Sequence, residues 1–413
     1  MIRIQEPKVV TDQRLAPAAQ HCSVCDQPEL ERVLDLGDLP GSPHEFFRSQ
    51  TDATQAATST VSLNLCSFCG NIAGTRIERR SRSRSRQPEA SSRFERRSSL
   101  NPRLRAYNEG LASRLVQQLS KTQRGQSDVI ELGCDRGDFL ASIARRCEAN
   151  CLGFDPRQAA SAHRQLTNLR LVDEDYSPLR FDDCHADLVI NRHQLGRAAH
   201  PRSLLSDLRS ALNASGRFFI EVANAEQQIA DADIWSAHAD RVTYFQREAL
   251  LNLLQSSGLD PQQCYAGLGG RTLCISGASR VPTKVEAIEP SQLLQLRQSL
   301  NQFASEAYRQ IVSWNDALTM RLADGERIAV WGAGSRGVTF LNSVAAGREI
   351  AAVVDLNERK HDHYLPGTGQ RIIAPEQLRD MAIDTVIIVN ADYRCEILAQ
   401  LRDLGLHCST VTL

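Results

Sequence analysis

The sequence predicts a chain of the α/β class that holds two separate sheets of parallel strands. Apolar runs at residues 128–132 and 327–331 each lead into a glycine-rich turn and then into a helical pattern, which is the order of a βα unit. Further apolar runs, at residues 151–154, 186–190 and 217–222, alternate with helical stretches. The length of 413 residues exceeds what one hydrophobic core normally spans, so two or three domains are expected.

The composition is that of a globular protein. Hydrophobic residues make up 42% of the chain and charged residues 23%, and no apolar run approaches the roughly 20 residues of a membrane-spanning helix. The first twenty residues carry Arg3, Glu6 and Lys8 without an apolar core, so we expect no secretory signal. We therefore expect a cytoplasmic protein with no membrane partner, whose twelve cysteines favour metal binding over disulfides.

Four of the cysteines form two CxxC pairs in a small domain predicted at residues 15–75. Forty residues with turn-forming glycines and prolines separate Cys22 and Cys25 from Cys66 and Cys69. Four thiolates suit a closed tetrahedral Zn²⁺ site, and a closed site is structural rather than catalytic. The alternative, four unrelated buried cysteines, is disfavoured by the paired spacing.

A low-complexity stretch follows, and we predict a solvated Arg/Ser-rich linker at residues 76–100. Residues 76–105 contain eleven arginines against three glutamates, and such a stretch buries too little apolar surface to order itself. Arginines could also bind nucleic acid through its phosphates. Phe94 is the one aromatic residue interleaved with them, so a nucleic-acid partner is not expected.

The glycine-rich turn of the first sheet indicates a cofactor. Residues 131–139 place Gly133 and Gly137 between a strand end and a helix N-terminus, where the backbone can approach a ligand. Asp155, at the end of the next strand, can accept both hydroxyls of a ribose. The opening Glu-x-Gly favours S-adenosylmethionine (SAM) over a dinucleotide, because no pyrophosphate has to be held and Glu131 can meet the cofactor's amino group. A tight turn with a helix-capping Asp is the alternative.

We therefore predict a SAM-dependent methyltransferase domain at residues 101–280, with helices near residues 104–119 and 202–212. The predicted cofactor-binding residues are Glu131, Gly133, Cys134, Gly137, Phe139, Asp155, Asp175, Tyr176 and Asn191.

The sequence after residue 280 predicts a helical connector and a second domain of the nucleotide-binding type. Apolar residues at helical spacing over 290–322 predict a long helix within a connector at residues 281–323. In the C-terminal Rossmann-like domain, residues 324–413, the turn at residues 332–337 precedes Asp355 by about twenty residues, and Arg336 could face a phosphate. A Rossmann-like domain with a vestigial ligand site is the alternative.

These motifs, in this order, resemble the three-domain SAM-dependent C-methyltransferases that act on nucleotide-linked deoxysugars. The resemblance covers about residues 20–413 and is carried by the CxxC pairs and by the motifs at residues 35–40, 130–140, 153–156, 221–224, 331–342 and 366–370. It implies a zinc-binding domain, a class I methyltransferase sheet and a C-terminal domain that holds the nucleotide-sugar. The substrate-binding residues it implies are Glu221, Asn224, Gly332, Gly334, Ser335, Arg336, Asp355 and Asn390.

The resemblance also implies a reaction, in which a base removes a proton beside a sugar carbonyl and the enolate takes the methyl group. Aligned on Tyr244, the family's Glu-His pair falls on Asp240 and Arg241, so a permanent cation replaces the expected base. The candidate catalytic residues are His238, Asp240, Arg241 and Tyr244. His238 or Asp240 could substitute as the base, and Arg241 could stabilise an oxyanion; the alternative for each is a surface or structural role.

Two further departures from the family occur at residues 191–197, where His193 is retained beside the expected cofactor pocket, and in the Arg/Ser-rich stretch. They motivate a second hypothesis, a catalytically degenerate homologue that binds ligands or regulates. A third is a nucleic-acid methyltransferase that binds RNA through the zinc module and the arginines. The first hypothesis, methylation of a nucleotide-sugar or similar small molecule by a monomer or homodimer, is preferred.

Overall fold

The computed structural model describes residues 21–28, 30–74, 91–93, 102–119, 127–156, 163 and 165–413. The predicted Arg/Ser-rich linker, whose arginines the nucleic-acid hypothesis invokes, lies outside the described residues except for one short strand. Among the described helices, none is both long enough and apolar enough to cross a bilayer.

The N-terminal domain is a small antiparallel sheet. Its elements are β1 (Leu30–Pro40), β2 (Glu45–Phe47), α1 (Gln50–Thr54), β3 (Thr58–Cys66), β4 (Ile72–Ala73) and β5 (Ser91–Arg93). The main sheet has the order β1-β3-β4, and β2 pairs separately with β5. A strand from the middle domain, β11 (Thr243–Tyr244), pairs antiparallel with β4 and so forms an edge of this sheet.

The middle domain is built on a seven-stranded sheet. Its strands are β6 (Asp128–Leu132), β7 (Asn150–Phe154), β8 (Leu169–Val172), β9 (Ala186–Arg192), β10 (Leu212–Ala223), β12 (Leu259–Gly267) and β13 (Thr272–Ser279). The order is β12-β13-β10-β9-β6-β7-β8. Strands β6 to β10 are parallel, but β13 runs antiparallel to both its neighbours, which corrects the expectation of a purely parallel sheet. A short turn suffices to join β12 to β13 because antiparallel strands need no crossover helix.

The described part of the middle domain contains the helices α2 (Pro102–Leu119), α3 (Asp138–Ala144), α4 (Pro201–Ser210), α5 (Ala225–Ala230) and α6 (Arg247–Ser256). The helices expected at residues 104–119 and 202–212 are thereby confirmed, with small changes at their ends. Gly137 immediately precedes α3 with a φ of 74°, a left-handed conformation that glycine adopts without strain. The turn between β6 and α3 therefore depends on this glycine.

A long helix and a parallel sheet complete the chain. The helix α7 (Pro290–Ala323) has 34 residues and is about 51 Å long. The later elements are β14 (Ile328–Trp331), α8 (Ser335–Ser343), β15 (Ala352–Val354), β16 (Ile372–Ile373), β17 (Thr385–Ile388), α9 (Arg394–Asp403) and β18 (Ser409–Thr412). The strand order β16-β15-β14-β17-β18 places the glycine-rich turn after β14 at the point where the order reverses, which is where such sheets bind ligands.

One hydrophobic core joins the N-terminal domain, the C-terminal domain and a segment of the middle domain that we call the cavity loop, residues 233–244. Trp235 of this loop packs edge to face against Phe340 of α8, with ring centroids 5.2 Å apart. The hydroxyl of Thr339 donates a hydrogen bond to the carbonyl oxygen of Ala237 at 3.1 Å. Because β11 lies in the same loop, both outer domains fix its position.

Candidate functional site

A cavity of about 290 Å³ lies where the three domains meet. His44 of the N-terminal domain and Ser335 at the start of α8 contribute to its wall. The middle domain supplies most of the lining, including the turn after β6, residues 192–197 and part of the cavity loop. The cavity therefore connects the predicted cofactor site with residues from both outer domains.

The turn after β6 forms the cofactor end of the cavity. Gly133 has a φ of 76°, and a Cβ atom at this position would lie 2.3 Å from the Cγ atom of Gln194, so a side chain cannot be accommodated. Of the predicted cofactor residues, Glu131, Gly133, Cys134 and Phe139 line the cavity. Burial raises the pKa of the Cys134 thiol, which keeps this side chain neutral.

Glu131 is the strongest indication of a cationic ligand. Its side chain is buried, and its Oε2 atom has no hydrogen-bond partner in the described part of the chain. Burial raises the pKa of this carboxyl to about 7. A buried carboxyl without a partner is costly, and a bound cation would relieve that cost. SAM carries an ammonium and a sulfonium group, so the residue fits this cofactor.

The other predicted cofactor residues lie behind the cavity wall. Asp155 is fully buried, and its Oδ2 atom accepts a hydrogen bond from the backbone N–H of Asp135 at 3.0 Å, so one carboxylate oxygen holds the glycine turn. Asn191 donates to the carbonyl oxygen of Leu132 at 3.0 Å, and Tyr176 packs against Phe154. Neither these three residues nor Gly137 and Asp175 are among the cavity-lining residues. Their contact with a cofactor stays a prediction.

A buried ion pair forms another part of the wall. The Nε atom of Arg192 lies 2.7 Å from Oε2 of Glu221, and the hydroxyl of Tyr107 donates to Oε1 at 2.7 Å. Although burial opposes it, Arg192 lowers the pKa of Glu221 to about 2. Both oxygens of this predicted substrate-binding residue are thus held by the protein. Sequence reasoning assigned neither Arg192 nor Tyr107 to the site, although Arg192 lies in the segment 191–197 that was compared with the family.

His238 and Asp240 form a close pair in the cavity loop. The Nδ1 atom of His238 lies 2.5 Å from Oδ1 of Asp240. Burial opposes ionisation, but His238 and then Arg197 hold the pKa of Asp240 below its usual range. A proton on Nδ1 would satisfy this contact with the carboxylate, and a neutral imidazole in that tautomer has its lone pair on Nε2. His238 lines the cavity and therefore has the form of a general base.

Arg241 and Tyr244 pack against each other in the cavity loop. The Arg241 guanidinium lies 4.1 Å above the Tyr244 ring and donates to Oε1 of Gln228 at 2.7 Å. Tyr244 is buried outside the cavity, and its hydroxyl accepts the backbone N–H of His238 at 3.2 Å. Burial raises the pKa of Tyr244 to about 12. Tyr244 thus supports the cavity loop and Arg241 lines the cavity, and a catalytic role for either residue stays a prediction.

His44 and Arg197 complete the cluster, and sequence reasoning missed both. The Nη2 atom of Arg197 lies 2.6 Å from Nε2 of His44 and 3.3 Å from Oδ2 of Asp240. His193, singled out in the sequence, also lines the cavity, with its Nε2 atom 3.6 Å from Glu221. His44 and Arg197 are 153 positions apart, and only the packing of the N-terminal domain on the middle domain brings them together.

The charged residues predicted to bind the nucleotide in the C-terminal domain contact other groups of the chain. The Oδ2 atom of Asp355 accepts hydrogen bonds from the backbone N–H of Ala333 at 3.0 Å and from Lys360 at 2.9 Å. Arg336 lies 3.0 Å from Asp233 of the cavity loop. Asp355 and Arg336 are thus engaged by the chain itself, and their contact with a ribose or a phosphate stays a prediction.

Two predicted substrate-binding asparagines also have structural roles. Asn224 caps the N-terminus of α5, and Asn390 accepts the backbone N–H of Asp392. Neither lines the cavity, whereas Ser335 does. A Cβ atom at Gly332 would lie 2.5 Å from Val389, but one at Gly334 would meet no atom within 4 Å. Gly334 therefore leaves open space beside Ser335.

The four paired cysteines come together in the N-terminal domain. Their sulfur atoms all lie within 4.8 Å of one another, with 3.6 Å between Cys22 and Cys69 and 3.5 Å between Cys25 and Cys66. In a tetrahedral site with Zn–S bonds of about 2.3 Å, sulfurs are about 3.8 Å apart. The backbone N–H of Val24 also donates to the Cys22 sulfur. The donor set and spacing fit a zinc ion.

Two family models match this chain. A methyltransferase domain matches residues 104–263, and a C-methyltransferase C-terminal domain matches residues 277–408. The C-methyltransferase NovU from Streptomyces niveus is 24% identical over 290 residues, which cover 65% of this chain and 68% of NovU.

Similar solved structures include two other methyltransferases. CalO1, a methyltransferase in calicheamicin biosynthesis in its SAH-bound form, has a TM-score of 0.32 at 17% identity and covers 42% of this chain and 54% of CalO1. The CurJ carbon methyltransferase has a TM-score of 0.37 at 14% identity and covers 44% of this chain and 56% of CurJ.

Proposed function

Since the chain is a SAM-dependent C-methyltransferase with a C-methyltransferase C-terminal domain, we propose that its substrate is a nucleotide-linked keto-deoxysugar or a related small metabolite. The observation that carries this proposal is the pair of His238 and Asp240 in a cavity that also reaches the glycine turn after β6. A carbon acid needs a base of this kind, whereas transfer to a hydroxyl or amine requires less activation.

The residues at the glycine turn would hold the cofactor. When bound, SAM supplies an electrophilic methyl group on a positively charged sulfur. Glu131 would face the cationic part of SAM, and the backbone at Gly133 and Cys134 would border it. The positions of Asp155 and Tyr176 behind this wall suit them to support the turn rather than the reacting atoms.

His238 is the proposed general base. Its Nε2 atom would take the proton from the carbon beside the substrate carbonyl, while Asp240 holds the Nδ1–H and balances the charge of the imidazolium. The electron pair of the C–H bond then forms a carbon–carbon double bond, and the carbonyl oxygen becomes negative. After methylation, His238 would release the proton to water.

The C-terminal domain is the proposed site for the nucleotide end of the substrate. Ser335 lines the cavity at the start of α8, and Gly334 beside it leaves open space. The backbone N–H groups at the start of a helix attract phosphate. The four cysteines would hold zinc, whose role would be structural because all its coordination positions are filled by thiolates.

Proton exchange tests the proposed base separately from methyl transfer. Nucleoside-diphosphate keto-deoxysugars are incubated with the protein in D₂O without SAM, and NMR follows deuterium incorporation beside the carbonyl. Mass spectrometry then detects methylated product when SAM is added. We expect His238→Ala to slow exchange by about 10²–10⁴-fold and to leave SAM affinity in isothermal titration unchanged.

The exposed His185 provides the matched control, since His185→Ala removes a histidine from the same domain outside the cavity. The proposal fails if the wild-type protein binds SAM but neither exchanges nor methylates any sugar of the panel. If the His238→Ala variant incorporates deuterium as fast as the wild type, His238 is not the base.

One observation favours a second function, that of a degenerate homologue that binds ligands without turnover. Arg241 stands at the position aligned with the family's base, and its guanidinium is held by Gln228 and the Tyr244 ring. This function predicts SAM and nucleotide-sugar binding with no exchange in D₂O. The exchange experiment therefore discriminates between the two functions.

A further inference from the structure

We propose that His44, contributed by the N-terminal domain, is a catalytic residue that donates a hydrogen bond from Nδ1 to the substrate oxygen on which negative charge develops. This inference rests on the proposed function, and it assigns to the N-terminal domain a part in the chemistry. It concerns a residue that follows Pro43 in the connection between β1 and β2, far in sequence from the methyltransferase motifs.

The position of His44 brings its ring to the proposed base. His44 lines the same cavity as His238, and the two ring centroids are 6.4 Å apart with the planes at 77°. The middle domain supplies most of the remaining cavity wall, so the substrate carbonyl would lie between groups from two domains. Enolisation needs a base that acts on the carbon and a hydrogen-bond donor that acts on the oxygen next to it.

The tautomer of His44 follows from its contact with Arg197. A guanidinium is always protonated and can only donate hydrogen bonds. The Nη2 atom of Arg197 lies 2.6 Å from Nε2 of His44, so this nitrogen must be the acceptor and must lack a proton. The proton of the neutral ring is therefore on Nδ1. Within the described part of the chain, no hydrogen bond to Nδ1 of His44 is found.

The surroundings of His44 keep it neutral. Burial and then Arg197 lower the pKa of His44 well below its ordinary value, and His238 and Lys360 act in the same direction. Asp240 opposes them, but its carboxylate already lies beside His238 and Arg197. A neutral imidazole is a good donor to a developing oxyanion because it does not surrender its proton to the carbonyl oxygen beforehand.

The step balances with these two residues alone. The C–H proton moves to Nε2 of His238, the C–H electron pair becomes the new carbon–carbon π bond, and the carbonyl π electrons move to oxygen. His44 keeps its proton and stabilises the oxygen through the Nδ1–H. Arg197 is a positioning residue, because its guanidinium holds both the His44 ring and the Asp240 carboxylate.

Two substitutions of His44 distinguish the loss of the Nδ1 donor from the loss of the Nε2 contact with Arg197. The amide of His44→Asn reaches the place of Nδ1 and retains a donor there, whereas the longer amide of His44→Gln reaches the place of Nε2. We expect His44→Gln and His44→Leu to lower the rate of exchange in D₂O and kcat by about 10²–10³-fold, and His44→Asn to lose less than tenfold. SAM affinity, measured by titration, should not change in any of them.

A second measurement tests the tautomer without any substrate. Nitrogen-15 NMR of the ligand-free protein, with the His44 signals identified by their loss in His44→Asn, should show a protonated Nδ1 and an unprotonated Nε2 from pH 6 to 8. The exposed His407 serves as the control, since His407→Asn should leave those signals in place. A protonated Nε2 would overturn the inference.

The outcomes distinguish this inference from the proposed function. If the wild-type protein exchanges and His44→Leu exchanges at the same rate, the role of His44 is wrong and the proposed function stands. If His44→Gln retains activity better than His44→Asn, the ring acts through Nε2 and the inference is overturned. If the wild-type protein exchanges with none of the sugars, the proposed function is wrong and the role of His44 is wrong with it.

Discussion

The buried carboxyl of Glu131 shows how a single side chain couples cofactor binding to pH. Because its pKa is raised to about 7, only about a tenth of the molecules carry the charged carboxylate at pH 6. A cationic cofactor binds the charged form. We expect the affinity for SAM to increase about tenfold between pH 6 and pH 8, and Glu131→Gln to remove this dependence, as measured by isothermal titration.

The same shift acts on stability with the opposite sign. Glu131 binds its proton more tightly in the folded than in the unfolded chain, so its contribution is fully present below the ordinary pKa of a glutamate and is lost as the pH rises through about 7. Thermal unfolding without SAM should therefore show wild type losing stability, relative to Glu131→Gln, over this range. A pH-independent SAM affinity in the wild type would contradict the role of Glu131.

Sequence reasoning located part of the site and missed the rest for a physical reason. Glu131, Gly133 and His238 belong to local motifs or alignable segments, and the structure places them in one cavity. The roles of His44 and Arg197 could not be predicted from the sequence, because they depend on a contact between these two residues, which lie in different domains. Arg336 and Asp355 follow the nucleotide-binding pattern in sequence, yet their charges are compensated within the chain.

At the scale of elements, the parallel strands with strong apolar runs were predictable, whereas the antiparallel strands were not. The parallel strands β6, β7 and β9 were expected from βα alternation, whereas β12 and β13 carry polar residues and gave no clear signal. The pairing of β11 with β4 joins residues from two domains and has no local signature. This pairing nevertheless places the cavity loop.

The four-cysteine cluster, which we propose binds zinc, should support the proposed active site through these elements. The hydroxyls of Ser23, between the first two cysteines, and Thr243 of β11 lie 3.0 Å apart. We expect one zinc ion per chain by elemental analysis, and loss of the metal in Cys66→Ser because three thiolates hold zinc less tightly. Cys66→Ser should also lower thermal stability and methyl transfer, since the β4–β11 pairing is no longer anchored.

The exposed Cys395 offers a control, because Cys395→Ser removes a thiol far from the cluster and should retain the zinc. Wild-type protein that contains no zinc when purified without chelators, or a Cys66→Ser protein that keeps a full equivalent, would contradict this prediction.

At the scale of the whole molecule, the ion pair of Arg336 and Asp233 connects α8 with the cavity loop. Both side chains are largely buried, at 17% and 14% exposure, so removing one partner should destabilise the protein by about 3 kcal/mol. We expect Asp233→Asn and Arg336→Gln to lower the unfolding temperature and kcat to similar extents, measured by calorimetry and turnover.

The pair of variants also tests whether Arg336 binds a phosphate. If it does, Arg336→Gln should raise the KM of the nucleotide-sugar far more than Asp233→Asn, which leaves the guanidinium in place. Equal effects of the two variants on KM would support the structural role of the ion pair. Glu396→Gln, at an exposed position of α9, removes a carboxylate elsewhere and should change neither quantity.

The shared core also determines what the intrinsic fluorescence of this protein reports. The chain has three tryptophans, and none of them lies in the seven-stranded sheet. Trp235 and Trp314 both contact Phe340, and Trp331 ends β14. The emission of Trp235 and Trp314 will therefore follow the docking of the C-terminal domain on the cavity loop, and that of Trp331 will follow the folding of the C-terminal sheet. The sheet that holds the cofactor motifs could unfold with little change in tryptophan emission.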